Sequence, residues 1–214
     1  MYYNTVNDLL KNSLQVLMTS EYFKNFRLVG GTSLSLQLGH RISVDIDLFS
    51  DVTYGNIEFK EIDQFLRSTF AYTDSSNDLN PAMGKSYIIG EDKNNTVKLD
   101  LYYTDNFIRP ALIVDDIRLA TVEEIIAMKI DVIQRGGRKK DFWDLHECLP
   151  NYGIGKMLDL HEERYPYGHD RDVILKNFCN FTSADDDFDP ICLPGKYWEF
   201  IKDDIEETVT KFLK

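Results

Sequence analysis

The sequence predicts an α/β (α+β) protein: a small mixed sheet with flanking helices over residues 1–120, then a helical region over 121–214 that completes a cleft against it. Three observations carry that prediction. Apolar and polar residues alternate within 43–49 and again within 96–103, the two-residue period of a strand with one buried face. Apolar residues recur at helical spacing over 5–24 and 121–133. A glycine pair, Gly30-Gly31, stands between a short apolar run and a leucine-rich stretch, where a strand would turn sharply into a helix.

The 214 residues suffice for one generous domain or two small ones, and 43% hydrophobic residues supply a core. The formal net charge of −12 argues against broad, charge-driven nucleic-acid binding and leaves such contact to a local basic patch. Cys148, Cys179 and Cys192 are widely spaced and odd in number, which favours a reducing cytosol over a zinc site or a disulfide framework. No basic segment leads into an apolar core at the start, and no stretch approaches the ~18 apolar residues of a membrane span. The expectation is a soluble cytoplasmic protein with no membrane partner.

Taken in order, Val6, Leu9, Leu10, Leu14, Leu17 and Met18 define a packing helix between about Thr5 and Lys24. Arg27-Leu28-Val29 is a short apolar run that stops at Gly30-Gly31, where the backbone can approach a ligand closely. Thr32 and Ser33 can cap a helix whose free N–H groups, with both hydroxyls, would form an anion site suited to phosphate. Leu34, Leu36 and Leu38 alternate as a strand would, so the helix rests on the glycine and cap signals. A strand over Ser43–Phe49 sends Val44, Ile46 and Leu48 to one face and Ser43, Asp45 and Asp47 to the other. The two aspartate Cα atoms would lie roughly 6.5 to 7 Å apart, within reach of one divalent cation or a pair. The plainer alternative is an exposed acidic edge strand.

The block GGTSLSLQLGHRISVDIDLF resembles the first motif of the AbiEii/AbiGii toxin-type nucleotidyltransferases, a branch of the DNA polymerase β-like nucleotidyltransferase superfamily. The superfamily pattern is Gly-Gly at a helix start followed by Asp-x-Asp on a strand; Gly39-His40-Arg41 and Ser43 are closer to this branch. The resemblance implies a polymerase β-like nucleotidyltransferase domain. In it Asp45 and Asp47 hold Mg²⁺ (or Mn²⁺) against an incoming nucleoside triphosphate, which Gly30, Gly31, Thr32, Ser33 and Arg41 contact.

Farther on, Phe59, Ile62, Phe65 and Leu66 mark a helix ending near Phe70, a polar loop covers 73–80, and two strands, Lys85–Gly90 and Thr96–Tyr103, flank a turn. The second strand places Lys98, Asp100 and Tyr102 opposite Val97, Leu99, Leu101 and Tyr103. Asp100 is either a solvent-facing strand acid or, as the resemblance implies, the third carboxylate of the metal site and a general base toward the acceptor hydroxyl. Residues 113–119 read as one more short strand, and Thr121 caps a helix with Glu123 and Glu124 at its positive end. Lys129 shares the face of Ile125, Ile126, Ile130 and Ile133, so its ammonium either snorkels to the rim or meets triphosphate charge.

Arg135 and Arg138-Lys139-Lys140 form the single basic cluster of the chain, a solvated face or a phosphate contact. The surrounding block AMKIDVIQRGGRKKDFWDL again resembles the family, in its helical lysine followed by Lys-Asp-x-x-Asp-Leu. Asp141 and Asp144 are neighbours on one helix face. The resemblance implies that one of them is needed for activity, Asp144 before Asp141, positioning Lys129 or a ligand group; the alternative is a helix-start charge and an exposed acid. Beyond Pro150, helices are expected near 157–160, 170–178 and 198–209 with an acidic loop at 184–189, and His161 and His169 read as structural and too far apart for a metal site.

The resemblance further implies metal-dependent transfer of a nucleoside monophosphate from a triphosphate, GTP being the one associated with the family, to an acceptor hydroxyl. It points to the toxin of a toxin–antitoxin or abortive phage-infection system, with transfer RNA or another RNA as acceptor and a cognate antitoxin as partner. Two further readings stand beside it: a small-molecule acceptor, as in antibiotic nucleotidyltransferases, and an inactive fold retained as a partner-binding module. The intact charge set disfavours the last, because clustered charges are costly to keep without use.

Overall fold

The computed structural model describes residues 1–78 and 81–214; Leu79 and Asn80, at the end of the polar loop expected over 73–80, lie outside it. Seven strands form one mixed sheet among the described residues: β1 (Arg27–Leu28), β2 (Asp45–Ser50), β3 (Tyr72–Ser75), β4 (Gly84–Asp92), β5 (Asn95–Tyr103), β6 (Leu112–Val114) and β7 (Ile117–Leu119). Their order is β3-β4-β5-β2-β1-β7-β6, with β2–β5 and β1–β7 parallel and the other pairs antiparallel. The helices are α1 (Asp8–Thr19), α2 (Gly30–Leu38), α3 (Phe59–Thr69), α4 (Val122–Gln134), α5 (Lys139–Arg164), α6 (Arg171–Phe178) and α7 (Trp198–Phe212).

The apolar residues gather into two clusters. Leu10, Leu14, Phe23, Ile46, Leu48, Leu99 and Leu101 join α1 and α3 to one sheet face. Ile125, Ile130, Phe142, Trp143, Met157 and Ile201 build a second cluster from α4, α5 and α7, and Val29 and Leu34 carry it onto the start of α2. Because side chains alternate along β2, burying Ile46 and Leu48 in the first cluster turns Asp45 and Asp47 to the opposite face. The α4 cap is as expected, Thr121 Oγ1 accepting from the Glu124 amide at 3.4 Å.

Several local expectations differ from what forms. The 113–119 strand is a hairpin, β6–β7, because Asp115 and Asp116 both take positive φ (52° and 62°) and reverse the chain between them, the conformation of a tight two-residue hairpin turn. Part of the polar loop, 72–75, pairs with β4 as an edge strand that needs little apolar content. Val44, expected on the buried face, precedes the strand and is 60% exposed. The α2 helix begins at Gly30 rather than after Thr32. Helix α5 runs through Pro150 with a break at Gly153, whose φ of 63° is not helical. His161 and His169 are not far apart: their Nδ1 atoms lie 2.8 Å from each other. No helix among the described residues is long and apolar enough to cross a membrane.

Candidate active site

Parallel pairing of β2 with β5 sets Asp47 opposite Asp100 and Asp45 opposite Lys98. Neighbouring strands lie about 4.8 Å apart. The three carboxylates therefore share one sheet face. Gly30 opens α2 beside them with φ +65°, and a Cβ on it would lie 2.7 Å from Asp47 Oδ2. At Gly31 a Cβ would stand 2.2 Å from the Arg41 guanidinium. Both positions thus need glycine, the first for its backbone angle and both for space.

A cleft of about 320 Å³ opens here, lined by Gly30, Gly31, Asp45 and Asp47 from α2 and β2 and by Lys129, Arg135 and Lys140 from α4, its C-terminal turn and α5. Beneath it lies a buried charge network. Asp144, fully buried, accepts from Arg41 Nε at 2.6 Å and Arg41 Nη2 at 2.8 Å, and His40 Nε2 lies 2.7 Å from its Oδ1. Lys129 Nζ reaches Asp141 at 2.7 Å and Asp144 at 2.8 Å. Burial opposes charge on Asp144, yet Lys129 and Arg41 hold it well below the usual carboxylate range. Burial likewise opposes charge on Lys129, but Asp141 and Asp144 outweigh it and raise its pKa. Lys129 does not snorkel to the rim; it is clamped by two carboxylates at the cleft wall.

Asp47 is perturbed in the other direction, pushed up to about 6 by burial and then by the charges of Asp100 and Asp45. Asp100 accepts from Lys98 Nζ at 2.6 Å through Oδ2, while its buried Oδ1 has no hydrogen-bond partner among the described residues. Carboxylates that repel one another, with a buried oxygen left over, fit a hard divalent cation such as Mg²⁺ or Mn²⁺. No group of three or more His, Cys, Asp or Glu side chains is already gathered as a metal site among the described residues, and Asp100 is engaged with Lys98.

The expected residues are thus only partly brought together. Gly30, Gly31, Arg41, Asp45, Asp47, Lys129 and Asp141 line the cleft, Asp100 adjoins Asp47 from the next strand, and Asp144 lies below. The hydroxyls of Thr32 and Ser33 do not join them. Because α2 starts at Gly30, both residues are buried in its first turn, where Thr32 Oγ1 bonds Ser43 Oγ at 2.7 Å and the Asp45 carbonyl, and Ser33 Oγ donates to the Ala120 carbonyl at 3.2 Å. The basic cluster also divides: Arg135, Arg138 and Lys140 line the cleft, whereas Lys139 is buried against Asp189 at 2.9 Å. Asp131 and Tyr165 are cleft-lining residues without a role in the sequence reading: Asp131 stands within the block around Lys129 but has no assigned part in it, and Tyr165 follows the end of α5, where no motif falls. His40 stood within the motif, but only folding shows its Asp144 partner.

The profile of the family described as nucleotidyl transferase AbiEii toxin, type IV TA system, matches residues 13–212. The chain is 23% identical over 218 residues to the uncharacterized protein aq_aa25 of Aquifex aeolicus (strain VF5), covering 95% of this chain and 96% of that one. A Helicobacter pylori protein proposed to be a nucleotidyltransferase shares the fold with a TM-score of 0.61 at 18% identity, over 94% of this chain and 90% of that one. MenT4, the nucleotidyltransferase toxin Rv2826c from Mycobacterium tuberculosis H37Rv, does so with a TM-score of 0.58 at 12% identity, over 94% and 82%. These structural likenesses establish the fold, and the profile match over nearly the whole chain establishes more: the chain belongs to the AbiEii family of nucleotidyltransferase toxins.

Proposed function

We propose that this enzyme transfers a nucleoside monophosphate from a triphosphate, GTP being the first candidate, to a hydroxyl of an RNA acceptor such as transfer RNA. The observation that carries the reading is the convergence of Asp45, Asp47 and Asp100 on one sheet face beside the Gly30-Gly31 turn. Residues 1–120 would supply the carboxylates and 121–214 the cationic side of the cleft. The α2 N-terminus at Gly30 and Gly31 receives phosphate oxygens through its free amides. Lys129, held by Asp141 and Asp144, and Arg135 meet the triphosphate charge as it develops. Asp45, Asp47 and Asp100 would hold Mg²⁺ or Mn²⁺, whose contribution when bound is neutralisation of phosphate charge and alignment of the entering and leaving oxygens. Asp100, released from Lys98, takes the acceptor hydroxyl proton, and pyrophosphate departs toward the glycine turn. In the cell, such a toxin would act in the cytoplasm, opposed by a cognate antitoxin, in toxin–antitoxin or abortive-infection defence.

Incubation with each labelled nucleoside triphosphate, Mg²⁺ and total cellular RNA tests this. Label should enter RNA of transfer-RNA size, and Asp45→Asn should reduce it at least about a hundredfold. The net charge of −12 favours a small-molecule acceptor as the second reading, and label found only in the low-molecular-weight fraction would select it over RNA.

A further inference from the structure

A second cavity, of about 370 Å³, opens beside the catalytic cleft and shares Arg41, Ser43, Asp45, Arg138 and Lys140 with it. It contains none of Gly30, Gly31 or Lys129, so it lies away from the phosphate end. Apart from Asp187, whose carboxylate accepts from the Lys139 amide, its remaining wall is apolar and open: Phe188 is 98% exposed, Ile191 68% and Val44 60%. A phenyl ring that exposed gains nothing by burial in the fold.

The chain holds it there firmly. The Lys139 amide donates to Asp187 Oδ2 at 3.0 Å, and Lys139 Nζ pairs with Asp189 at 2.9 Å, so the acids on both sides of Phe188 are drawn to Lys139. The Ile42 amide donates to the Ile191 carbonyl at 2.9 Å and the Leu193 amide to the His40 carbonyl at 3.0 Å, fastening this loop to the segment between α2 and β2. Lys140 makes no ion pair with a described residue, and Arg138 approaches Asp141 only at 3.5 Å. The result is an aromatic platform next to two available cations, opening onto Asp45.

We infer that this cavity takes the unpaired 3′-terminal nucleotide of a single-stranded RNA end, its base stacked on Phe188 and its phosphates met by Arg138 and Lys140. Stacked aromatics beside cations are the ordinary means of gripping single strands without reading sequence. The inference rests on the proposed RNA acceptor, and the position fits, since the terminal hydroxyl would then enter over Asp45, at the edge of the sheet face that carries Asp47 and Asp100, while the triphosphate occupies the adjoining cleft.

The test is equilibrium binding of a short oligoribonucleotide carrying 2-aminopurine as its 3′-terminal base, followed by anisotropy and by 2-aminopurine fluorescence. Wild type should bind and quench; Phe188→Ala should lose the quench and weaken binding about tenfold, and Phe188→Tyr should restore both. Because Phe188 is exposed, the alanine variant should keep the wild-type melting temperature. Quenching in a protein that transfers no nucleotide would keep this site and remove the proposed reaction. Binding without quench, binding indifferent to Phe188→Ala, no binding, or quench of 2-aminopurine riboside triphosphate in place of the oligonucleotide would each overturn the assignment.

Discussion

Burial, with the carboxylates of Asp100 and Asp45, pushes Asp47 from an ordinary 3.8 up to about 6. Between those values the folded chain keeps a proton that the unfolded chain has released, so this group's contribution to stability is present at low pH and is lost as pH rises from about 4 to about 6. The span corresponds to about 3 kcal/mol. In EDTA, Asp47→Asn should therefore remove a falling stability slope across that window and leave the variant more stable than wild type at pH 7. Denaturant titrations from pH 4 to 7 check it, and parallel pH curves for the two proteins would contradict it. At this scale the sequence was informative where one strand decides the matter: alternation alone put Asp45 with Asp47, and Lys98 with Asp100, on common faces. It was silent on the Asp47–Asp100 pairing, which depends on the parallel register of strands some 50 residues apart. It misplaced the hydroxyls of Thr32 and Ser33 because the helix is capped at Val29 rather than at Thr32, which takes both residues out of the cap and into the buried first turn.

Three elements meet at Asp144. The segment after α2 supplies His40 and Arg41, α4 supplies Lys129, and α5 supplies Asp144 itself, all buried. Such a network need not add net stability, since desolvation offsets much of the attraction, but removing one member strands the others. Asp144→Ala should accordingly cost about 3 to 5 kcal/mol. Arg135→Ala, at an exposed pair with Asp131, should cost under about 1 kcal/mol. Thermal melts of the two variants test the contrast; equal losses would refute the network's role. By the same reasoning a Lys129→Met variant would leave Asp141 and Asp144 facing each other without their shared cation. Elements with strong periodicity, such as α1, α3, α4 and β5, were legible in the chain. The edge strand β3 was not, since Tyr72-Thr73-Asp74-Ser75 is polar and is organised by its pairing with β4. Nor was the β6–β7 turn, where two aspartates adopt a backbone region usually left to Gly or Asn.

Across the whole molecule, the two apolar clusters leave the cleft between the carboxylate face of β2 and the cationic start of α5. An overall charge of −12 thus coexists with a local concentration of Lys129, Arg135, Arg138 and Lys140, a division that composition alone conceals. The central claim is that this juxtaposition binds a nucleoside triphosphate through a divalent cation held by Asp45 and Asp47. Calorimetric titration of GTP in Mg²⁺ and in EDTA, on wild type and on the Asp45→Asn/Asp47→Asn variant, tests it most directly. Affinity in wild type should depend on Mg²⁺, and the double variant should lose that dependence while melting no lower than wild type. Wild-type-like, Mg²⁺-dependent binding by the double variant would contradict the account.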